Sequence, residues 1–297
     1  LNLYKKGLSV LVHDLRETLI VLHHCRKMTW KRIFTILKSD QGLHFLHDSC
    51  LPNTKFLEKE TIEDFYSHTL HQQIQQYTQQ GIHIITYFDP SYPSLLKEIY
   101  QPPWVLYAKG DLSLLQQPRQ LAIVGSRDAT VYSRRAVKAI MQELVNEEVV
   151  IVSGLAAGVD ALAHETALEF NGKTIGILAG GFKHIYPKHN LPLAEKMMKT
   201  QLLLSEYPPF TRPQKWQFPM RNRIISGITK GTLVVEAKRK SGSLITANLA
   251  LQEGRDVFAI PGSIFSKYSE GTNDLIKHGA KLVTNAADIL EEWEFTT

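Results

Sequence analysis

The sequence predicts an α/β fold: a Rossmann-like, doubly wound and mostly parallel sheet, preceded by a small helical domain. Three observations predict it. Short apolar runs recur at 82–86, 101–111, 121–125, 149–153, 174–179, 202–205, 232–236, 256–260 and 281–284. Helix-like stretches separate most of them, and near-continuous apolar strands alternating with helices build a parallel sheet covered on both faces. Five of the runs end in turns of small or polar residues, where such sheets bind their ligands.

Residues 1–75 form the helical domain. Leu15, Leu19 and Leu22 recur at helical spacing, as do Trp30, Ile33, Phe34 and Leu37. The Gln-rich stretch 71–81 sits among Leu70, Ile74 and Tyr77, so it reads as a helix ending at Gly81. Residues 82–297 form the sheet domain. The 297 residues suffice for a sizeable core, and 43% hydrophobic with 21% charged residues is ordinary for a soluble protein. No apolar run reaches the roughly 20 residues that span a bilayer, so no membrane insertion is expected. The opening stretch is broken by His13 and Asp14 and lacks a small-residue cleavage site, which argues against a signal peptide. Leu1 in place of Met points to a UUG start codon or a truncation. Cys25 and Cys50 suit a reducing cytoplasm and give neither a disulfide framework nor a zinc site. The twelve histidines show no metal-ligand spacing, so neither metal nor cofactor is expected.

The net charge of +5 is mild, but it clusters. Between Pro208 and Lys240 stand eight basic residues and one acid, Glu236, a bias that favours a polyanionic partner. The five turns begin at VGSRDAT (124–130), SGLAAGVDALAH (153–164), AGGFKHIYPKHN (179–190), EAKRKSGSLITA (236–247) and IPGSIFSKYSEGTNDLI (260–276). Glycine lets backbone approach a ligand, and helix N-termini favour phosphate. The first turn lacks the second and third glycines of a dinucleotide site, and no segment matches a P-loop. Instead Arg127 stands in the turn, where a guanidinium can pair with phosphate.

The motifs VGSR, SGLAAGVDALAH, IYPKHN, SEYPP, FPMRNRIISGITKGTLVVEAKRKSGSLITANLALQEGRDVFAIPG and EGTNDLIKHGAKLV, in this order, resemble the DNA-processing protein A family (DprA/Smf) over residues 82–297. The N-terminal helices more weakly resemble the sterile-alpha-motif-like domain of some members. The resemblance implies a cytoplasmic protein that binds single-stranded DNA, forms a homodimer and helps load RecA onto DNA during natural transformation, with single-strand DNA-binding protein as a further partner. It also implies a binding protein and not an enzyme. Some members carry a C-terminal winged helix. This chain ends about a dozen residues after its last strand, so duplex binding through such a domain is not expected.

The expected DNA contacts are Gly125, Ser126, Arg127, Ser153, Gly154, Phe182, Lys188, Arg221, Asn222, Ser241, Gly242 and Ser243. Arg127 and Lys188 match motif positions of the family's single-strand pocket. Ser153, Gly154, Ser241, Gly242 and Ser243 offer backbone and hydroxyl donors, although Ser241 or Ser243 can equally cap a helix. Phe182 offers a ring for stacking on a base, or packs in the core. Arg221 and Arg223 are too close in sequence to bind one phosphate together, so one of them braces the loop against Glu236 or Glu206. A Ser153–His164–Asp160 triad is considered and set aside, because no nucleophile elbow is present. For dimerisation the resemblance names Leu282 first and Ile276 second, with burial in the terminal strand's own core as the competing role for Leu282. The alternative function is a nucleotide-processing enzyme of the phosphoribohydrolase-like Rossmann class. PGSIFSKYSEGT faintly resembles that signature, but Ser263 replaces its second glycine, and Asn273 and Asp274 follow Thr272 where a glutamate would be expected. A purely structural docking protein is the third possibility, and it would not need so many phosphate-suited turns.

Overall fold

A computed structural model describes residues 15–43 and 57–294. Cys50 and the opening segment through His13 lie outside the described residues. The chain divides into two compact units. The first comprises residues 1–92 and 103–107, and the second 93–102 and 108–297. Residues 82–92, which follow the helices in sequence, therefore group with them.

The first unit contains α1 (15–24), α2 (Trp30–Ser39), α3 (Lys59–Phe65), α4 (His68–Gln79) and β1 (His83–Thr86). The apolar spacing of the sequence appears directly as burial, with Leu19, Leu22, Ile33, Ile36 and Leu37 inside. The Thr29 hydroxyl caps α2 by accepting from the Arg32 N–H. The Gln-rich stretch is the helix α4, and Gly81 beyond it takes a positive φ of 68°, the left-handed conformation that ends a helix at little cost to glycine.

The second unit contains α5 (Ser94–Lys97), β3 (Gln120–Val124), α6 (Val131–Asn146), β4 (Val150–Ser153), α7 (Val159–Glu169), β5 (Thr174–Leu178), α8 (Leu191–Thr200) and β6 (Leu202–Ser205). It continues with α9 (Gln217–Gly227), β7 (Gly231–Val234), α10 (Gly242–Gln252), β8 (Asp256–Ala259), α11 (Glu270–Lys277), β9 (Lys281–Leu282) and α12 (Ala287–Glu294). The strand β2 (Val105–Gly110) is shared between the units at Tyr107 and Ala108. Seven strands lie side by side in the order β6-β5-β4-β3-β7-β8-β9, and every described pairing among them is parallel. This is the doubly wound, Rossmann-like arrangement that the alternation of apolar runs predicts.

The period of two along each strand sorts the side chains. Leu121, Ile123, Ile151, Leu233, Val235, Phe258 and Ile260 enter one cluster with Val137, Ile140, Met141 and Leu144 of α6 and with Leu162, Ala163 and Ala167 of α7. Ile289 and Trp293 of α12 close it at the end of the chain. The helices α9 and α10 pack on each other and on the sheet without entering this cluster, and so cover the opposite face. From β3 the chain winds one way through β4, β5 and β6; from β7 it winds the other way through β8 and β9. The reversal leaves a crevice at the carboxyl ends of the neighbours β3 and β7, because their following segments diverge.

Candidate nucleic-acid interface

A cavity of ≈ 870 Å³ opens at that crevice. Its walls are the turn after β3 (Gly125 to Asp128), the turn after β4 and the start of α7 (Ala156, Asp160), Tyr186, the segment from Pro213 to Asn222, and the turn after β7 with the start of α10 (Lys238 to Thr246). Five cations line it, Arg127, Lys215, Arg221, Lys238 and Lys240, against two carboxylates, Asp128 and Asp160. Such an excess draws in a polyanion.

Each wall has a local cause. Gly125 has no side chain because a Cβ there would stand 2.7 Å from Val159 Cγ2, so its absence lets α7 approach the β3 turn. The Val159 N–H then donates to the Ser126 carbonyl at 3.0 Å, and the Ser126 hydroxyl accepts from the Asp128 N–H at 3.1 Å. This turn presents Arg127 outward, with its guanidinium carbon 5.9 Å from the centre of the Phe218 ring. Phe218 in turn meets Tyr186 edge-on at 5.6 Å. Opposite them, the Ser241 hydroxyl caps α10 by accepting from the Ser243 N–H, and no acid stands in the first turn of that helix. The positive end of an eleven-residue helix therefore opens on the cavity beside Lys240.

The floor is the buried guanidinium of Arg221. Its Nη1 donates to the carbonyls of Gly154 and, at 2.6 Å, of Ile177, and its Nε donates to Asn222 Oδ1 at 3.1 Å. Asp160 lies 4.0 Å from Nη2. Burial pushes the Asp160 carboxyl above its ordinary range, while Arg221 and the N–H groups of Ala156 and Gly154 pull the other way. Burial likewise lowers the pKa of Arg221, offset by Asp160 and reinforced by the neighbouring Arg127. Arg223, two residues on, is buried against Glu206 at 2.6 Å. Glu206 is its partner, so both arginines of the pair are held within the protein.

Of the twelve expected contacts, the cavity gathers Gly125, Ser126, Arg127, Arg221, Asn222, Ser241, Gly242 and Ser243. Ser153 is not among them. It is fully buried, and its hydroxyl donates to the Ile123 carbonyl at 2.6 Å, so it offers nothing to a ligand. Gly154 turns its carbonyl to Arg221 and stands in a small adjoining cleft. Phe182 is only 7% exposed and packs inward, which leaves no ring face for a base. The rings at the cavity are Phe218 and Tyr186. Lys188 is exposed on a short turn, Lys188–Asn190, and does not line the cavity. Asn190 anchors that turn, its Nδ2 donating to the carbonyls of Leu155 at 2.9 Å and Ala156 at 3.2 Å. Tyr186, Lys215, Lys238 and Lys240 are cavity residues that motif reading did not select. The run of eight basic residues was the available signal for the three lysines.

Ser153, His164 and Asp160 do not assemble a relay. Thr174 spends its one hydroxyl hydrogen on the Ile151 carbonyl at 2.8 Å, so it must accept from His164 Nδ1, 2.7 Å away. Burial first, and repulsion from Arg221 second, push the His164 pKa down to about 3. Among the described residues no group of three His, Cys, Asp or Glu side chains could hold a metal, and no helix is long and apolar enough to cross a membrane. At the far edge of the sheet Leu282 of β9 is 44% exposed, which removes core burial as its role, while Ile276 of α11 is half-buried.

Residues 83–294 match the family described as DNA recombination-mediator protein A. The DNA processing protein DprA of Bacillus subtilis is 51% identical over 234 residues, covering 79% of this chain and 78% of that one. The X-ray structure of DNA processing protein A from Streptococcus pneumoniae superposes with a TM-score of 0.79 at 39% identity, over 93% of this chain and 96% of that one. A structure of DNA processing protein A from Helicobacter pylori, described for its single-stranded DNA binding mode, gives 0.65 at 31% identity over 72% and 96%.

Two predictions come from the floor. A Cβ at Gly154 would overlap the Arg221 guanidinium, whereas Gly242 has open space around it. Gly154→Ala should cost about 1–3 kcal/mol in urea unfolding, and Gly242→Ala should cost nothing or add up to about 1 kcal/mol; equal effects would contradict the packing described. For His164 the folded value of about 3 lies below the ordinary 6.5. The unfolded chain takes up a proton first, so the stabilisation is complete above pH 6.5 and is lost as pH falls from there toward 3. Unfolding free energies from urea titrations should therefore drop by about 1.4 kcal/mol between pH 7.5 and 5.5. His164→Asn, which keeps a donor for Thr174, should remove that part of the slope.

Proposed function

The chain belongs to the DNA recombination-mediator protein A family, and from that membership we propose that it binds single-stranded DNA in the cavity between β3 and β7 and helps load RecA onto it. The observation that carries the reading is the pairing of cations with rings at one opening. Arg127 lies over Phe218, Phe218 meets Tyr186, and Lys215, Lys238 and Lys240 stand around them. Lysine and arginine give sequence-independent affinity for phosphates, and exposed rings stack on bases of any identity. A single strand supplies both at once, since its bases are free to turn away from its backbone. A duplex keeps its bases paired and stacked, so they could not turn onto the rings.

The H. pylori relative described for binding single-stranded DNA supports the same ligand. We place the activity in the cytoplasm as binding without turnover, in a homodimer, with RecA and single-strand DNA-binding protein as partners during natural transformation. The exposed Leu282 on the edge strand, with Ile276 of α11 as second choice, is the proposed self-complementary contact.

Mobility-shift titration should give much tighter binding to an oligothymidylate than to a duplex of equal length, with affinity falling steeply as salt rises. Arg127→Ala should weaken single-strand binding and lower the slope of log K against log salt by about 0.7, the share of one phosphate contact. Equal affinity for duplex and single strand at moderate salt would contradict the proposal. Leu282→Arg should give a folded monomer in light scattering, because a two-fold contact would bring two like charges together in apolar surroundings. A folded variant that stays dimeric would remove Leu282 from the contact.

A further inference from the structure

The loop from Ile260 to Ser269, between β8 and α11, is held at many points. Asn273 grips Gly262 from both sides: the Gly262 N–H donates to Oδ1 at 3.2 Å, and Nδ2 donates to the Gly262 carbonyl at 3.0 Å. The Tyr132 hydroxyl donates to the Pro261 carbonyl. The N–H groups of Ser266 and Ser269 donate to the carbonyls of Ser263 and Ser266, each at 3.0 Å, and the Ala237 N–H donates to the Tyr268 carbonyl at 2.7 Å. A Cβ at Gly262 would overlap the Ser269 hydroxyl, so the bend itself is packed.

This pinned backbone nevertheless holds two large apolar side chains in solvent, Ile264 at 83% and Phe265 at 93% exposure. Burying either would contribute about 1.5–3 kcal/mol, and a loop fixed so firmly forgoes that gain. Next to them the Tyr268 ring has a lysine over it twice, with Lys238 Nζ at 4.7 Å from the centroid and Lys267 Nζ at 5.5 Å. Lys238 also lines the cavity. Lys238 over Tyr268 therefore joins the cavity wall to this loop, in which Phe265 stands three positions before Tyr268 in the chain.

We infer that this loop is a second subsite for single-stranded DNA, which receives the strand leaving the cavity by stacking one base on Phe265 while Lys238 and Lys267 meet the adjoining phosphates. The inference rests on the single-strand reading of the cavity. Continuity with the cavity and the paired lysines select a nucleic-acid strand as the occupant. A platform fixed before binding costs little ordering, and a lone aromatic face accepts any base.

The test is fluorescence anisotropy with labelled oligothymidylates of about 6 and about 20 nucleotides, lengths that bracket a single-strand subsite. The unaltered chain should bind the longer strand more tightly than the shorter one. In Phe265→Ala most of that gain should vanish, as an about tenfold loss for the longer strand. In Lys267→Ala the longer strand should show a salt slope lower by about 0.7. Phe265 is a surface side chain, so the variant should fold, and circular dichroism checks this. A Phe265→Ala chain that keeps the full gain with length overturns the inference while leaving the cavity reading intact. A Phe265→Ala chain that changes its mass in light scattering also overturns it, by making the loop a contact between two copies. If the unaltered chain binds neither oligomer, the cavity reading itself fails and this subsite falls with it.

Discussion

A buried arginine organises the crevice. Arg221 reaches from α9 across the carboxyl ends of β4 and β5 and bonds the carbonyls of Gly154 and Ile177, the latter within β5. Strand ends leave carbonyls without partners, and a buried carbonyl left unpaired is costly. One guanidinium satisfies two of them and at the same time fixes α9 against the sheet. The arrangement demands glycine at 154, where a side chain would occupy the guanidinium's own space. It also places a carboxylate, Asp160, beside a charge that could not otherwise be buried. Gly154 and Asp160 come from one motif, SGLAAGVDALAH, and Arg221 from another, FPMRNRIISG, and this contact explains why their chemistry belongs together.

With its floor set in this way, the cavity owes the rest of its character to topology. The strand order reverses between β3 and β7, so the segments that follow them part and leave an opening. The turn after β3 contributes Arg127 and the turn after β7 contributes Lys238 and Lys240, while Pro213 to Asn222 closes the third side with Lys215 and Phe218. Arg221 is engaged with backbone, so the cations left to meet phosphate are those on the rim. This division, a structural cation below and exposed cations above, is what a sequence-tolerant binder of single strands needs. The rim lysines and arginine can track a flexible backbone, and Phe218 with Tyr186 can receive its bases.

Much of this was legible in the sequence because periodicity reports burial. All nine apolar runs became strands, and the glycine-rich turns fell at the sheet edge where a doubly wound fold binds ligands. The individual side chains were harder to read, because hydrogen-bond partners across the sheet have no sequence signature. Ser153 looked like a free hydroxyl, yet the Ile123 carbonyl of a neighbouring strand takes it. Phe182, after two glycines, could serve as a base platform or pack in the core, and the chain turns it into the core. Phe218 stands in the FPMRNRIISG segment, and only the fold shows that Arg127, ninety-one positions earlier in the chain, lies against it. Of Arg221 and Arg223 the sequence indicated that one was structural. Both proved to be buried and bonded, Arg223 to Glu206 and Arg221 to backbone, because α9 packs on the sheet along most of its length.

The central claim is that single-stranded DNA lies in the cavity at the reversal of the sheet. Hydrogen–deuterium exchange of the full chain, with and without a saturating oligothymidylate, tests it most directly. Slower exchange is expected in peptides covering 125–128, 213–222 and 238–243, with the N-terminal helices unchanged. Protection confined to other segments, with these three exchanging as in the free protein, would contradict it.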